Sequence, residues 1–135
     1  MPIRIFIADD DAVIRGLVRR IIEEHSDWQV CGEAENGYDA IQQIKQLSPN
    51  VVIMDLAMPR MNGIQAAREI SHAIPDLPML LLTVQQVEKE LAGEARRAGF
   101  RGAVSKSTGS EVIKGIEALL RQETFFWAEA PASVV

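Results

Sequence analysis

The sequence predicts an α/β fold, with one doubly wound parallel sheet of five strands and helices on both faces. Strand-like and helix-like patterns alternate five times along the 135 residues. Two runs, residues 51–54 and 79–82, are apolar throughout, which is typical of central parallel strands buried on both faces. Alternation of this kind indicates parallel strands joined by right-handed helical crossovers. We therefore expect the strand order 2-1-3-4-5, the commonest for a five-stranded sheet of this class.

Length and composition fit one soluble globular domain. Hydrophobic residues make up 47% of the chain and charged residues 24%, a balance that excludes disordered and membrane proteins. No apolar run approaches the roughly 18 residues of a membrane helix, and the N-terminus lacks a signal-peptide pattern, so we expect a cytoplasmic protein. The net charge of −5 argues against this stretch of chain holding a nucleic-acid backbone by itself.

The first half of the chain is predicted to form a strand, a helix, a second strand and a second helix, in that order. Residues 3–8 form the first predicted strand, and a helix follows the acidic run Asp9, Asp10 and Asp11. The apolar residues of this helix have helical spacing and should face inward; they are Val13, Ile14, Leu17, Val18, Ile21 and Ile22. Residues 28–34 have the mixed polarity of an edge strand. Asn36 then begins a helix that ends at residues 48–50.

The third predicted strand ends in a carboxylate, and the fourth ends in a hydroxyl. Residues 51–55 form the third strand and deliver Asp55 to its tip. Asn62 with Gln65 predicts a capping box at the start of the third helix. The fourth strand, residues 79–83, delivers Thr83 to the same edge, because parallel strands end on one side of the sheet.

The last third of the chain contains the weakest helix pattern. Residues 87–98 form a predicted helix with a thin apolar face and Gly93 at its middle, so we expect its position to be the easiest to change. Residues 100–105 form a short fifth strand that leads into Lys106. Thr108 with Glu111 predicts a capping box for the last helix.

Polar side chains collect where these strands end. In the predicted strand order, Asp9, Asp10 and Asp55 line the crevice where the winding of the sheet reverses. Clustered carboxylates repel one another unless a cation compensates, and all-oxygen ligands suit Mg²⁺. Thr83 and Lys106 add a hydroxyl and an ammonium group on the adjoining side. Taken singly, each residue reads as a surface acid, a strand-ending threonine or a solvated lysine, but together the five favour a site for phosphoryl transfer to a carboxylate.

Four motifs fall in the order and spacing of a known family. They are Ile7-Ala8-Asp9-Asp10-Asp11, Met54-Asp55-Leu56-Ala57-Met58-Pro59-Arg60-Met61-Asn62-Gly63, Leu82-Thr83 and Ser105-Lys106. Over about residues 3–122 the chain resembles the receiver domain of two-component response regulators. The D-L-x-M-P-x-M-N-G string and residues 32–37 are most similar to the subgroup that carries a LuxR-type helix-turn-helix effector.

The resemblance implies a signalling switch rather than an enzyme. It implies that Asp55 is the phosphoacceptor and that Mg²⁺ is the cofactor. Asp10 would bind Mg²⁺ directly and Asp9 through water, with Asp55 and the carbonyl group of Ala57 as further ligands.

The resemblance also implies how the switch is read and which partners it has. Thr83 and Lys106 would sense the phosphoryl group. A sensor histidine kinase would supply that group, a homodimer would form on phosphorylation, and DNA would be contacted only through an effector domain outside this sequence, with no membrane partner. We expect residues 1–122 to be the receiver domain and residues 123–135 to be a tail or the start of a linker.

Four residues depart from the family pattern. Ala103 stands where many members carry a Tyr or Phe ring that turns inward on phosphorylation, and Val84 stands where Gly or Ala is usual. Ser107 replaces a common Pro, so a cis peptide bond is not expected there. Asp11 replaces a common His and adds an acid at a helix start. Ala103 and Val84 motivate an alternative, a pseudo-receiver that acts as an interaction module without phosphoryl chemistry.

Two further alternatives concern the tail and the site. The aromatic residues at 125–127 either cover the bottom of the sheet or belong to a linker, and we favour the linker. The site also suits a flavodoxin-like cofactor binder or a metal-dependent phosphatase of related topology. The absence of a Gly-rich or Ser/Thr-rich phosphate loop after Ala8 argues against the cofactor binder.

Overall fold

The computed structural model describes residues 2–106 and 109–126, which form one parallel sheet flanked by helices. The strands are β1 (Ile3–Ala8), β2 (Trp28–Ala34), β3 (Val51–Asp55), β4 (Met79–Thr83), β5 (Gly102–Ser105) and β6 (Phe125–Phe126). The helices are α1 (Ala12–Glu23), α2 (Gly37–Leu47), α3 (Gly63–Ala73), α4 (Lys89–Ala98) and α5 (Gly109–Leu120). The strand order is β2-β1-β3-β4-β5-β6, which confirms the predicted order and adds one edge strand.

Two apolar layers cover the faces of the sheet. One layer joins α2, α3 and α4 to the sheet through residues such as Ile44, Ala67 and Ala95. The other joins α1 and α5 through residues such as Ile22 and Ile116. Since helices cover both faces, β3 and β4 are buried along their whole length, which explains why their sequences are apolar without alternation.

Side-chain caps begin α1, α2 and α3 in the segments that follow β1, β2 and β3. Asn36 accepts a hydrogen bond from the backbone of Asp39 at 2.9 Å. Asn62 and Gln65 form the predicted capping box, each accepting from the other's backbone N–H. Asp11 caps α1, which gives this departure from the family pattern a local structural role. The predicted cap at Thr108 lies outside the described residues.

The inward face of α1 is narrower than predicted. Val18 and Ile22 are buried, whereas Val13 is 70% exposed and Leu17 is 49% exposed, so the prediction that both face inward is wrong. A helix advances about 100° per residue, which puts Val13 about half a turn from Ile22. The sheet covers only the side of the helix that carries Val18 and Ile22.

The sixth strand was not predicted. Phe125 and Phe126 pair with Gly102 and Ala103 along the free edge of β5. Gly102 permits this approach, because a Cβ atom there would lie 2.6 Å from the carbonyl oxygen of Phe125. These two aromatic residues therefore extend the sheet, while Trp127 lies outside the described residues. That residues 123–135 are a tail or the start of a linker stays a prediction.

The two rings of β6 pack on opposite faces of the sheet. Phe125 packs with the layer that contains α5, and Phe126 packs with the layer that contains α4. The guanidinium carbon of Arg96 lies 4.1 Å from the centre of the Phe126 ring, a cation–π contact. Because Ala103 is fully buried and in register with Phe126, this edge of the sheet carries an aromatic ring even though residue 103 has none.

Helix α4 is short and lightly anchored. It begins at Lys89 rather than at Val87, and its N-cap residue Glu88 forms no side-chain capping hydrogen bond. Its fully buried residues are Ala95 and Ala98, which bring only methyl groups to the core. That the position of this helix is the easiest to change stays a prediction. None of the helices formed by the described residues has the length and apolar character that a bilayer crossing requires.

Candidate functional site

The carboxyl ends of four strands meet at one edge of the sheet and carry the predicted site residues. Asp9 directly follows β1, Asp55 ends β3, Thr83 ends β4 and Lys106 directly follows β5. The edge lies beside the point where the winding reverses, since β1 has β2 on one side and β3 on the other. Asp10 joins this group at the mouth of a cleft lined in part by Asp55, Thr83 and Lys106.

Three carboxylates converge at this edge. Asp9, Asp10 and Asp55 each place one carboxylate oxygen within 4.8 Å of the other two. Asp9 and Asp55 are buried, whereas Asp10 is exposed. The residues fit a hard divalent cation such as Mg²⁺, because they supply several oxygen donors and leave one side open to water.

Lys106 lies between the two buried acids. Its Nζ atom is 2.8 Å from Oδ2 of Asp9 and 3.1 Å from Oδ1 of Asp55. Its backbone N–H donates to the carbonyl oxygen of Thr83 at 2.8 Å, which fixes its position against β4. Burial by itself lowers the pKa of Lys106, but the hydrogen bonds to Asp9 and Asp55 outweigh it and raise that pKa. Lys106 is therefore a permanent ammonium counterion of the site.

Asp55 is harder to ionise than an ordinary aspartate. Burial raises the pKa of its carboxyl group to about 6, and the neighbouring charge of Asp9 adds to this effect. The hydrogen bond and the charge of Lys106 act in the opposite direction without cancelling the shift. A bound cation near Asp55 would therefore favour the ionised form of its carboxyl group.

The raised pKa of Asp55 predicts a dependence of stability on pH. Its carboxyl group has a pKa of about 6 in the folded protein, against 3.8 ordinarily. The protonated form therefore stabilises the fold fully below about 3.8, and this contribution is lost as the pH rises through about 6. In the absence of divalent cations, the melting temperature of the wild type should fall relative to that of Asp55→Asn as the pH rises.

Thermal unfolding in a chelating buffer checks this prediction, with both proteins measured at the same pH values between about 4 and about 7. The other titrating residues are common to both proteins, so the difference between their melting temperatures reports on the protonation of Asp55 and its effect on the groups around it. A difference in melting temperature that stays constant over this range would contradict the raised pKa.

Thr83 and its neighbours form one wall of the cleft. The Thr83 hydroxyl is buried and accepts a hydrogen bond from the backbone of Gln85 at 3.1 Å, so its own proton can be donated to another acceptor. Val84 also lines the cleft and is 78% exposed. Ala57, two residues after Asp55, lines the same cleft. The effect of Val84 on access to Asp55 stays a prediction.

The loop after β3 packs tightly under Asp55. The backbone N–H of Gly63 donates to the carbonyl oxygen of Leu56 at 2.9 Å. A Cβ atom added to Gly63 would overlap the carbonyl oxygen of Asp55. Only glycine therefore allows the start of α3 to approach the strand end that carries Asp55.

Sequence reasoning missed Arg15, which contacts Asp9 from outside the cleft, and Glu33, which pairs with Arg15. Nη1 of Arg15 donates to the carbonyl oxygen of Asp9 at 2.7 Å, and Nε of Arg15 donates to Oε1 of Glu33 at 3.0 Å. Arg15 is one of several polar residues on α1, and the sequence does not distinguish it from the others. The available signal was Glu33, which stands next to the end of β2, the strand adjacent to β1.

Comparison with known proteins decides the family. A family model described as response regulator receiver domain matches residues 5–119. The chain belongs to this family. The receiver domain is 38% identical over 134 residues to transcriptional regulatory protein YxjL of Bacillus subtilis (strain 168), covering 98% of this chain and 61% of YxjL. This chain thus spans less than two thirds of the length of that relative.

Two further similarities are to proteins of different kinds. It superimposes on a LuxR-family two-component response regulator from Aurantimonas sp. SI85-9A1 with a TM-score of 0.91 at 30% identity, covering 98% of this chain and 94% of that one. It is also 42% identical over 105 residues to protein-glutamate methylesterase/protein-glutamine glutaminase 2 of Saccharophagus degradans, but this match covers 78% of this chain and only 30% of the methylesterase. That match is to the receiver domain of the methylesterase, so it does not make this chain an enzyme.

Proposed function

We propose that this receiver domain accepts a phosphoryl group on Asp55 from a sensor histidine kinase and changes conformation to control a transcriptional effector. The observation that supports this most directly is the setting of the Asp55 carboxylate. It is buried at a strand tip, lies 3.1 Å from the ammonium group of Lys106, and faces a cleft with two further acids beside it.

Each residue of the cleft has a defined part in this proposal. An oxygen of Asp55 attacks phosphorus, the phosphorus–nitrogen bond to the donor histidine breaks, and the nitrogen leaves with the electron pair. Lys106 neutralises a phosphoryl oxygen, and Thr83 donates its hydroxyl proton to another. Asp10 would hold Mg²⁺ directly, with Asp9 acting through water. When bound, the ion supplies positive charge against the acids and the phosphoryl oxygens.

The partners follow from the same proposal. The similarity to YxjL, a transcriptional regulatory protein, and to a LuxR-family response regulator supports a role in transcription. DNA would be contacted through an effector domain. We propose a homodimer as the phosphorylated form and the cytoplasm as the location. The net charge of −5 is consistent with DNA contact through another domain rather than through this one.

Intact mass spectrometry tests the proposed function. The domain is incubated with Mg²⁺ and a small-molecule phosphodonor, and one sample receives a chelator in place of Mg²⁺. We expect a mass gain of one phosphoryl group that depends on the metal. No gain under either condition would favour the pseudo-receiver, which Ala103 and Val84 motivate.

The metal site gives a second expected result. Mg²⁺ should raise the melting temperature of the wild type, because a ligand at about 100 times its Kd stabilises the folded state by about 2.7 kcal/mol. Asp10→Ala should abolish this rise, since it removes the solvent-facing carboxylate of the cluster. Asp76→Ala, a change at an exposed acid between α3 and β4, should leave it intact. An equal rise in Asp10→Ala would remove Asp10 from the site.

A further inference from the structure

Arg15 connects three elements next to the acidic cluster. It belongs to α1, it donates to the carbonyl oxygen of Asp9 just beyond β1, and it donates to the carboxylate of Glu33 on β2. Its side chain is only 15% exposed. The planar guanidinium makes both hydrogen bonds at once, which a lysine ammonium on a flexible stem cannot match in geometry.

The hydrogen bond to Asp9 fixes the peptide group that joins Asp9 to Asp10. The backbone N–H of Asp9 donates to the carbonyl oxygen of Ala34 at 3.0 Å, so the strand ladder holds one side of Asp9. Its carbonyl oxygen, on the other side, accepts from Arg15 at 2.7 Å. This carbonyl belongs to the same planar unit as the backbone nitrogen of Asp10. The orientation of this peptide group therefore sets the direction in which the Asp10 side chain leaves the backbone.

Asp10 depends on its backbone for its position. It is exposed, and within the described part of the chain no cationic side chain pairs with it, whereas Asp9 and Asp55 are held by Lys106. We infer that Arg15 is a positioning residue that fixes the Asp9–Asp10 peptide so that the Asp10 carboxylate converges with the other two acids on a divalent cation. This inference rests on the proposed function, and it assigns Arg15 to metal binding rather than to attack on phosphorus.

Electrostatics alone predicts the opposite effect. The guanidinium of Arg15 is a positive charge near three acids, so removing that charge without moving anything should tighten the binding of Mg²⁺. If Arg15 positions Asp10, removing its side chain should instead weaken binding. The sign of the change therefore separates a positioning role from a purely electrostatic one.

Arg19 provides a matched control on the same helix. It pairs with the same carboxylate, Glu33, and its side chain is 45% exposed, but none of its hydrogen bonds or ion pairs within the described residues reaches Asp9. Arg19→Gln and Arg15→Gln remove the same charge from neighbouring turns of α1. Only Arg15→Gln also removes the hydrogen bond to the backbone carbonyl of Asp9.

The test is a titration with Mg²⁺ alone, followed by calorimetry or by the shift in melting temperature. We expect Arg15→Gln to weaken Mg²⁺ binding by about tenfold, in line with the loss of groups that orient metal ligands, and Arg19→Gln to change it by less than about twofold. Arg15→Lys retains the charge and one donor to the Asp9 carbonyl, so it should recover part of the loss. Phosphorylation at saturating Mg²⁺ should proceed at close to the wild-type rate in Arg19→Gln, which keeps every contact with Asp9.

Equal affinities in Arg15→Gln and Arg19→Gln, or tighter binding in Arg15→Gln, would overturn the inference. If Arg15→Gln does not fold, Arg15→Lys decides alone, because it keeps the charge but cannot hold Glu33 and the Asp9 carbonyl in the same geometry. Weaker Mg²⁺ binding than in the wild type would then support the inference, and binding as tight as in the wild type would overturn it. Phosphoryl labelling of the wild type is scored separately. Labelled wild type with unchanged Arg15→Gln affinity refutes only the role of Arg15, whereas unlabelled wild type with weakened Arg15→Gln refutes only the proposed function.

Discussion

Asp55→Asn is expected to reduce phosphoryl labelling of the receiver domain to background, a loss of at least about 10²-fold. The amide keeps the shape of the side chain but lacks the nucleophilic carboxylate. Asp9 should not take its place, because it is fully buried and, unlike Asp55, does not line the cleft. Asp10 is exposed, but in the proposal its carboxylate is committed to the cation.

Asp11→Asn is the matched control for this change. Asp11 also lines the cleft, and its carboxylate caps α1 by accepting from the backbone of Val13 and Ile14. Asparagine is an equally good N-cap, so this variant should fold and should be labelled like the wild type. Peptide mapping of the labelled wild type should place the phosphoryl group on Asp55. Full labelling of Asp55→Asn, or a label on the Asp10 peptide, would show that the wrong carboxylate was assigned.

The features that sequence predicted best are those that one short segment determines. The capping box of Asn62 and Gln65 forms within a single turn, so local spacing is sufficient to place the start of α3. The central strands are equally local, because burial on both faces requires an apolar run whatever the neighbours are. Given parallel strands, the tips must meet at one edge. The gathering of Asp9, Asp55 and Lys106 follows from that topology.

The features that sequence missed depend on how elements meet in space. The periodicity of α1 shows that one side is apolar, but it does not show how wide a strip the sheet covers, which is why Val13 and Leu17 were misplaced. A strand of two residues such as β6 has no detectable period, and its site depends on the absence of a side chain at Gly102. Arg15 was missed because the reach of a long side chain has no sequence pattern.

Gly63→Ala should produce the largest loss of stability among the substitutions considered. A Cβ atom at this position would overlap the carbonyl oxygen of Asp55, which is backbone and cannot rotate away as the end of a side chain would. Either α3 or the end of β3 must shift. Both are packed in the core, so we expect a destabilisation of about 2 to 4 kcal/mol, or a fall of about 10 °C in melting temperature.

Gly16→Ala is the control, because it makes the same chemical change in a different setting. Gly16 lies in the exposed middle of α1, and a Cβ atom there would meet nothing within 4 Å. Alanine is the better helix former, so this variant should be more stable than the wild type by about 0.5 to 1 kcal/mol. Chemical denaturation of the wild type, Gly63→Ala and Gly16→Ala measures the change in the free energy of unfolding that each substitution causes. Equal stabilities of the two variants would contradict the tight packing at Gly63.

Gly63→Ala also tests whether the packing at Gly63 affects the chemistry of the site as well as the stability of the fold. If the displaced backbone in Gly63→Ala carries Asp55 with it, phosphoryl labelling should slow even at temperatures where the variant is fully folded. A shift taken up wholly by α3 would leave the labelling rate unchanged while the stability still fell. The labelling rate of folded Gly63→Ala therefore shows whether α3 or the end of β3 moves. A slow rate would show that Gly63 is needed for the position of Asp55 as well as for the packing of the loop.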